Sequence, residues 1–481
     1  MEQIQQLFDK KTVIRHSDLS IPEIGIQDIQ TLSEALKINT TLTIFNLGDN
    51  QISVRCAQFP VSLIEGTKTT PIIFNLGNNQ IGVQRTQFLV SLIEETKNIP
   101  IIFNLGDNQI DIQCAHFLVS FIKETNTILI TLDLRSNQIG DQCTQALAQA
   151  LKINTTLTSL DLRYNQIGNQ GTQALAQALK INTTLTSLDL GHNYIGHQGI
   201  HALGKALKIN TTLTSLNLSY NQIGDQGAQA LAQALKINTT LTTLSLCTCQ
   251  IGAQGAQVLA KALKINTALI TLNLYINHIG VQCALALAKA LKINTTLVIL
   301  ELQNNQIGDQ GVQALAETLK INAILTTLNL EGNNISYRGA QILAKALQKN
   351  TGLTTLNLLG NQIGDHGTQA LAKALKINTT LINFKLEYNF IGDQGAQSLV
   401  EALKINTTLT TLQLYNNPIR DSIILAIKQK LKINIINKKK LRCLQILCLK
   451  KLKQLNRIDE IKSLKPTIYN SCLMKYFQTK L

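Results

Sequence analysis

Tryptophan is absent from the 481 residues and aromatic side chains make up only 4% of them, so the interior cannot be organised around large aromatic anchors. Charged residues are also scarce, at 15%. No apolar run approaches the roughly 18 residues that a membrane-spanning helix needs. The amino terminus, "MEQIQQLFDKKTVIRHSDL", carries charges throughout and lacks the apolar segment of a secretory signal. The expected setting is therefore soluble and cytoplasmic, with the nucleus as the alternative. What is plentiful is leucine and isoleucine: hydrophobic residues reach 44%, enough for a long aliphatic core.

Only nine cysteines occur, yet the stretch "SLCTCQIG" sets Cys247 and Cys249 one residue apart. A metal or redox site is one reading, but a zinc site needs four ligands at workable spacings. The sequence around the pair points elsewhere, because the chain repeats itself. "NTTLTSLDLRYNQIGNQGTQALAQALKI" begins at Asn154 and returns, nearly unchanged, at Asn182, Asn210 and Asn238. Measured on the asparagine of "NQIG", the intervals are 29 residues through Asn50, Asn79, Asn108 and Asn137. They are then 28 through Asn165, Asn193, Asn221, position 249, Asn277, Asn305, Asn333, Asn361, Asn389 and Asn417, which makes fourteen units.

Each unit reads as strand, turn, helix. Leu160 and Leu162 alternate with Ser159 and Asp161, the period of two that turns one side of a strand inward. Leu175 and Leu179 stand four apart among alanines, with Gln173, Gln177 and Lys180 on the solvent side of a helix. Asp141, Asp225, Asp309, Asp365 and Asp393 are expected to cap the starts of their own helices, and the asparagine of "KIN" is expected to end each helix in a left-handed conformation.

These units resemble leucine-rich repeats, L-x-x-L-x-L-x-x-N/C-x-L, of the long ribonuclease-inhibitor type, over about nine tenths of the chain. The resemblance is strongest to the repeat region of NOD-like receptors. It implies an α/β solenoid shaped as a horseshoe, with a parallel sheet on the concave face and helices on the convex face. The expected layout is an amino-terminal half-repeat cap at 1–32, the solenoid at 33–434, and a tail at 435–481. The Ran GTPase-activating protein shares the repeat but follows it with an acidic run, whereas the tail here is basic. Ribonuclease inhibitor is acidic and richer in cysteine and tryptophan. With the first repeat under way by Ser33, only the recognition part of a NOD-like receptor is expected.

The repeat pattern admits cysteine at the asparagine position, which makes Cys249 a ladder residue. Cys56, Cys114, Cys143 and Cys283 each lie six residues after the ruler, where most units carry glycine, and read as small buried replacements. "GIHALGKA" at Gly199 falls one residue short of a phosphate-binding loop, because Ala206 stands where serine or threonine must hold magnesium. His197 and His201 have helical zinc spacing, with His192 near, but the glutamate of a metalloprotease is missing and they read as surface residues. The "NTT" triplets match a glycosylation acceptor and are explained by the repeat. No catalytic, metal or cofactor site and no small-molecule substrate are expected.

Differences between near-copies then become informative. The column four before the ruler is monotonous: Asn46, Asn75, Asn104, Asp133, Asp161, Asp189, Asn217. The exposed columns after it vary, holding Arg135, Arg163, Tyr164, His192 and Tyr220, then Tyr275, Glu301, Glu331, Glu387, Tyr388 and Tyr415. Arginine and tyrosine commonly anchor protein interfaces. The expected function is a non-enzymatic protein-binding scaffold, sensor or regulator acting through this concave face. A GTPase activator is the alternative, as is binding through the tail. From Lys428 onward, 15 lysines and arginines face only Asp459 and Glu460, a surplus of 13 within a chain net charge of +15. Leu441, Leu444, Cys448, Leu452 and Leu455 give that tail an amphipathic stripe suited to covering the last repeat, or to meeting nucleic acid or an anionic membrane.

Overall fold

A computed structural model describes residues 17–18, 44–46, 48–49, 71–79, 81–82, 100–111, 119, 122 and 128–454. The chain forms two compact units, Met1–Asn334 and Ile335–Leu481. In the first, strands β1 (Ser17–Asp18), β2 (Ile44–Asn46), β3 (Ile72–Asn75), β4 (Pro100–Asn104) and β5 (Ile128–Asp133) precede a regular alternation. It runs α1 (Asp141–Leu151), β6 (Ser159–Asp161), α2 (Asn169–Leu179), β7 (Ser187–Asp189), α3 (His197–Leu207), β8 (Ser215–Asn217), α4 (Gly224–Leu235) and β9 (Thr243–Ser245). It continues through α5 (Ala253–Leu263), β10 (Thr271–Asn273), α6 (Gly280–Leu291), β11 (Ile299–Glu301), α7 (Gly308–Leu319) and β12 (Thr327–Asn329). The second unit holds α8 (Tyr337–Leu347), β13 (Thr355–Asn357), α9 (Gly364–Leu375), β14 (Asn383–Lys385), α10 (Asp393–Leu403), β15 (Thr411–Gln413) and α11 (Asp421–Gln454).

Within each unit the strands lie parallel in sequence order. The register is one repeat: Ser159 pairs with Ser187, Leu160 with Leu188 and Asp161 with Asp189. Where the interval changes from 29 to 28, the β4–β5 ladder shifts register between Ile101 and Ile102, and the extra residue is absorbed as a bulge. Leu160 of β6 and Leu162 just after it are buried together with the helix leucines and alanines. The apolar sides of strand and helix thus close on one another, which neither could do alone.

Three inter-repeat ladders satisfy the polar backbone between repeats. The first is the expected asparagine ladder. Asn193 Nδ2 donates to Leu190 O (3.0 Å) and Gly191 O (3.2 Å) in its own turn and to Leu162 O (3.0 Å) in the preceding one, while Oδ1 accepts from Ile167 N (3.0 Å). Cys249 takes half of this role. Its thiol donates to Leu218 O (3.2 Å) and Cys247 O (3.4 Å), but it has no amide oxygen to receive the Ile223 N–H as Asn277 Oδ1 receives that of Ile251 (3.0 Å). Burial pushes the Cys249 thiol up to about 12, keeping it protonated and poor as a nucleophile or metal ligand. Cys249→Asn is therefore expected to stabilise the chain by about 1 kcal/mol, read as a higher denaturant midpoint. A lower midpoint, or a stoichiometric metal lost on substitution, contradicts this.

The second ladder corrects the expectation for the "KIN" asparagines. None of Asn154, Asn182, Asn210 or Asn238 has a positive φ, and the helices end on right-handed lysines such as Lys180. Asn182 is instead a buried rung: Nδ2 donates to Leu151 O (2.8 Å) and Asn154 O (3.2 Å), and Oδ1 accepts from Thr184 N (3.1 Å) and Leu185 N (2.8 Å). The side chain holds a turn and ties it to the repeat before, so no left-handed backbone is needed. In the second unit this ladder ends inside α11, where Asn434 Nδ2 reaches Asn406 O (2.9 Å) and Leu409 O (2.8 Å). Ile423, Ile427 and Leu431 of α11 are buried nearby in sequence, so the opening turns of this helix cover the last repeat. The boundary drawn at 435 falls within α11, and the stripe from Leu441 to Leu455 lies outside the described side chains.

The third ladder corrects the helix caps. Asp141 lies in the first turn of α1, and its Oδ1 accepts from Gly168 N (2.7 Å) and Gly171 N (2.8 Å) of the following repeat. Asp225 does the same for Gly252 and Gly255, and Asp365 for Gly392 and Gly395. Asp141, Asp225 and Asp365 each cap the neighbour's helix, not their own. Where this position is His197, Ala253, Val281 or Tyr337, the next repeat has no such acceptor. There the turn glycine adopts φ of about +60° at Gly224, Gly280, Gly308 and Gly364, and its N–H donates to a ladder-residue carbonyl, as from Gly280 to Asn305 O (3.0 Å). One side chain per repeat thus selects between two turn forms in the next. Cys143 and Cys283 are buried and form no disulfide; Cys56 and Cys114 lie outside the described residues.

Candidate protein-binding surface

Beside each strand the chain makes a sharp turn, and the residue before each ladder position has φ between 47° and 66°, among them Tyr164 (53°), His192 (53°) and Tyr220 (57°). Bulky residues rarely hold this conformation. Here the following repeat imposes it, because Tyr164 N donates to Gly191 O (3.0 Å), His192 N to Ser219 O (2.8 Å) and Tyr220 N to Cys247 O (2.7 Å). The same geometry repeated three times lays the side chains in register. His192 stacks on Tyr164 with centroids 3.9 Å apart and planes at 19°, and on Tyr220 at 3.8 Å and 16°. Tyr164 and Tyr220 remain 50% and 40% exposed, so the stack is a rigid aromatic ridge open to solvent.

Beside the ridge run the carboxylates of Asp133, Asp161 and Asp189, braced by two arginines. Arg163 forms a two-pronged pair with Asp161, Nη2–Oδ2 at 2.6 Å and Nε–Oδ2 at 3.0 Å, and approaches Asp189 at 3.3 Å. Arg135 lies 3.5 Å from Asp133 and 3.7 Å from Asp107. Burial raises the Asp133 and Asp189 carboxyls above the usual range, against the pull of neighbouring hydrogen bonds and arginines. The pair with Asp161 raises the Arg163 guanidinium further. Partial burial, then the Arg163 charge, lower the His192 imidazole, which keeps the middle ring neutral at pH 7. Four carboxylates against two guanidiniums leave this face net acidic.

The structure therefore joins Arg135, Arg163, Tyr164, His192 and Tyr220 in one patch. Tyr275 is half-buried further along the same unit, and Glu331 follows β12. Glu301 is not in the variable turn columns: it belongs to β11 itself, in the column of Asp161, where its Oε2 accepts from Gln303 Nε2 (2.7 Å). Tyr388 and Tyr415 are 56% and 65% exposed in the second unit, while Glu387 is buried with Oε2 unpartnered. His197 and His201 are exposed on α3, which also contains the whole "GIHALGKA" stretch as regular helix. Among the described residues, no group of three or more His, Cys, Asp or Glu side chains is placed to hold a metal.

The Leucine Rich repeat family matches residues 39–55, 125–148, 154–176, 182–204, 210–232, 238–260, 294–316, 322–344, 349–372 and 406–428. The chain is a leucine-rich repeat protein. Among solved structures, the leucine-rich repeat chain of a TLR13–ssRNA13 complex aligns with a TM-score of 0.50 at 16% identity, over 86% of this chain and 65% of that one. An internalin (inlF) from Listeria monocytogenes aligns at 0.38 and 19% identity, over 89% and 92%. Actin-binding site 2 of leiomodin-1 aligns at 0.31 and 22% identity, over 36% and 96%. No curated protein matches the sequence. Missed by sequence reasoning was a surface column outside the variable positions: the isoleucine of each "KIN" from Ile153 onward is exposed, and its only sequence signal is that it recurs without a core position to fill.

Proposed function

We propose that this leucine-rich repeat protein is a non-enzymatic binding scaffold that engages a protein partner through the sheet face of β5–β9. The observation that carries the reading is the Tyr164–His192–Tyr220 stack, held by backbone geometry beside a braced carboxylate column. Pre-formed aromatic area loses little freedom on binding, and a net-acidic surround selects a partner with basic groups. The same acidity disfavours a polyanion such as the single-stranded RNA of the TLR13 complex on this face. Arg163, committed to Asp161 and Asp189, acts as a brace that fixes the carboxylates, while Tyr164 and Tyr220 are the anchors. The 28-residue unit with a full helix supports our assignment to the ribonuclease-inhibitor type, as in NOD-like receptor repeats. Cysteines outside any disulfide at Cys143, Cys247, Cys249 and Cys283 support a cytoplasmic address.

The test begins with a pull-down on the full chain and identification of the captured protein. Tyr164→Ala and Tyr220→Ala are each expected to weaken binding by about 2 kcal/mol, roughly thirtyfold, while the helix-side control Gln173→Ala leaves it unchanged. Weakening by the control with unaltered binding in both tyrosine variants would place recognition on the helical face.

A further inference from the structure

From Asn182 to Asn434 the described "KIN" triplets supply buried asparagine rungs, but the isoleucine before each contributes little to the core. In the first unit these isoleucines recur every 28 residues from Ile153 to Ile321, each between 58% and 67% exposed. The second unit repeats the arrangement at Ile377 and Ile405, with Ile433 at 48% on α11. Folding does not demand isoleucine here, since Lys349 occupies the same place beside the intact, buried rung Asn350. A lysine precedes every one of these isoleucines, as in Lys180–Ile181, Lys208–Ile209 and Lys236–Ile237. Two of those lysines meet a glutamate three residues earlier, Lys320 with Glu317 and Lys404 with Glu401, both at 2.6 Å. Each unit thus carries an edge along its helix ends in which an exposed isoleucine and the lysine before it recur together from repeat to repeat.

We infer that this Lys–Ile edge docks on an anionic lipid bilayer surface. The occupant must reward the same short pattern at every repeat, so it must itself be laterally uniform. It must be negative, because each unit of the edge offers a lysine, and it must accept an aliphatic side chain to shallow depth. A bilayer interface with acidic headgroups has all three properties: isoleucine enters the headgroup–acyl boundary while lysine stays among the phosphates. A nucleic acid would reward the lysines and leave the isoleucines in water. A second copy of this chain would bring one lysine row against another. The edge is separate from the acidic sheet face, so a bound membrane leaves the aromatic ridge free for its own partner.

Co-sedimentation of the full chain with phosphatidylcholine vesicles, with and without phosphatidylserine, tests the inference. Binding is expected only with phosphatidylserine and to fall at high salt. The triple variant Ile181→Ser, Ile209→Ser, Ile237→Ser, with the basic tail intact, is expected to lose at least tenfold in partition while retaining its melting profile. The triple variant Lys180→Gln, Lys208→Gln, Lys236→Gln is expected to bind weakly and with little salt dependence. Wild-type protein that ignores the acidic vesicles overturns the inference. So does an isoleucine triple variant that binds like wild type, since the tail would then carry the affinity, or one that only dissolves a self-association seen without lipid.

Discussion

Asn238→Ala is expected to lower the unfolding free energy by about 3 kcal/mol, although the neighbouring Ile237→Ala changes it by less than about 0.5 kcal/mol. The asparagine makes five bonds: Nδ2 donates to Leu207 O (2.8 Å) and Asn210 O (3.2 Å), and Oδ1 accepts from Thr240 N (3.0 Å), Leu241 N (2.7 Å) and, at 3.5 Å, Thr240 Oγ1. Alanine removes all of them and leaves peptide groups unpaired in an interior that water does not reach. Two of the lost bonds reach into the preceding repeat, so the damage falls on the interface between neighbours that gives a solenoid its cooperativity. Hydrogen exchange should therefore accelerate in α3 and α4 together, and denaturant unfolding should broaden. Equal effects of the two substitutions would show that the rungs carry no special share of stability.

Gly255→Cys is expected to cost about 3 kcal/mol in the native background and much less when Asp225→Ala accompanies it. A Cβ at Gly255 would lie 2.6 Å from Asp225 Oδ1 and 2.9 Å from both Ala228 Cβ and Ile251 Cγ2. The carboxylate must leave, and with it go the bonds to Gly252 N (2.7 Å) and Gly255 N (2.9 Å), each a bond to a charged acceptor. With Asp225 already replaced, the next turn can take the left-handed form that Gly280 adopts after Ala253, where Cys283 is buried without difficulty. The double variant reproduces that natural pair. Urea unfolding of all four species should show a coupling above about 1 kcal/mol, and the Gly252 φ should turn positive with Asp225→Ala. Simple additivity would mean that the aspartate does not select the turn.

The sequence by itself determined the repeat, its strand–turn–helix content, the buried leucines and the ladder position of Cys249, because each follows from periods of two, near four, and 28 that are visible along the chain. Of the columns it read as facing outward, Arg135, Arg163, Tyr164, His192 and Tyr220 lie in one patch, whereas Glu387 is buried and Glu301 belongs to the strand column. Only the tertiary structure decided which neighbour each polar side chain serves. Asp141 looks like a cap for α1 and caps α2; Asn182 looks like a left-handed stop and is a rung on Leu151 and Asn154; Arg163 looks free and is held by Asp161 and Asp189. The physical reason is common to all three. Near-identical repeats offer a donor or acceptor the same partner in its own unit and in the next, and only the closest approach across roughly one period chooses between them. The same holds for the ring stack, which depends on a backbone twist imposed by bonds from the following repeat and has no counterpart in the local sequence of Tyr164, His192 or Tyr220.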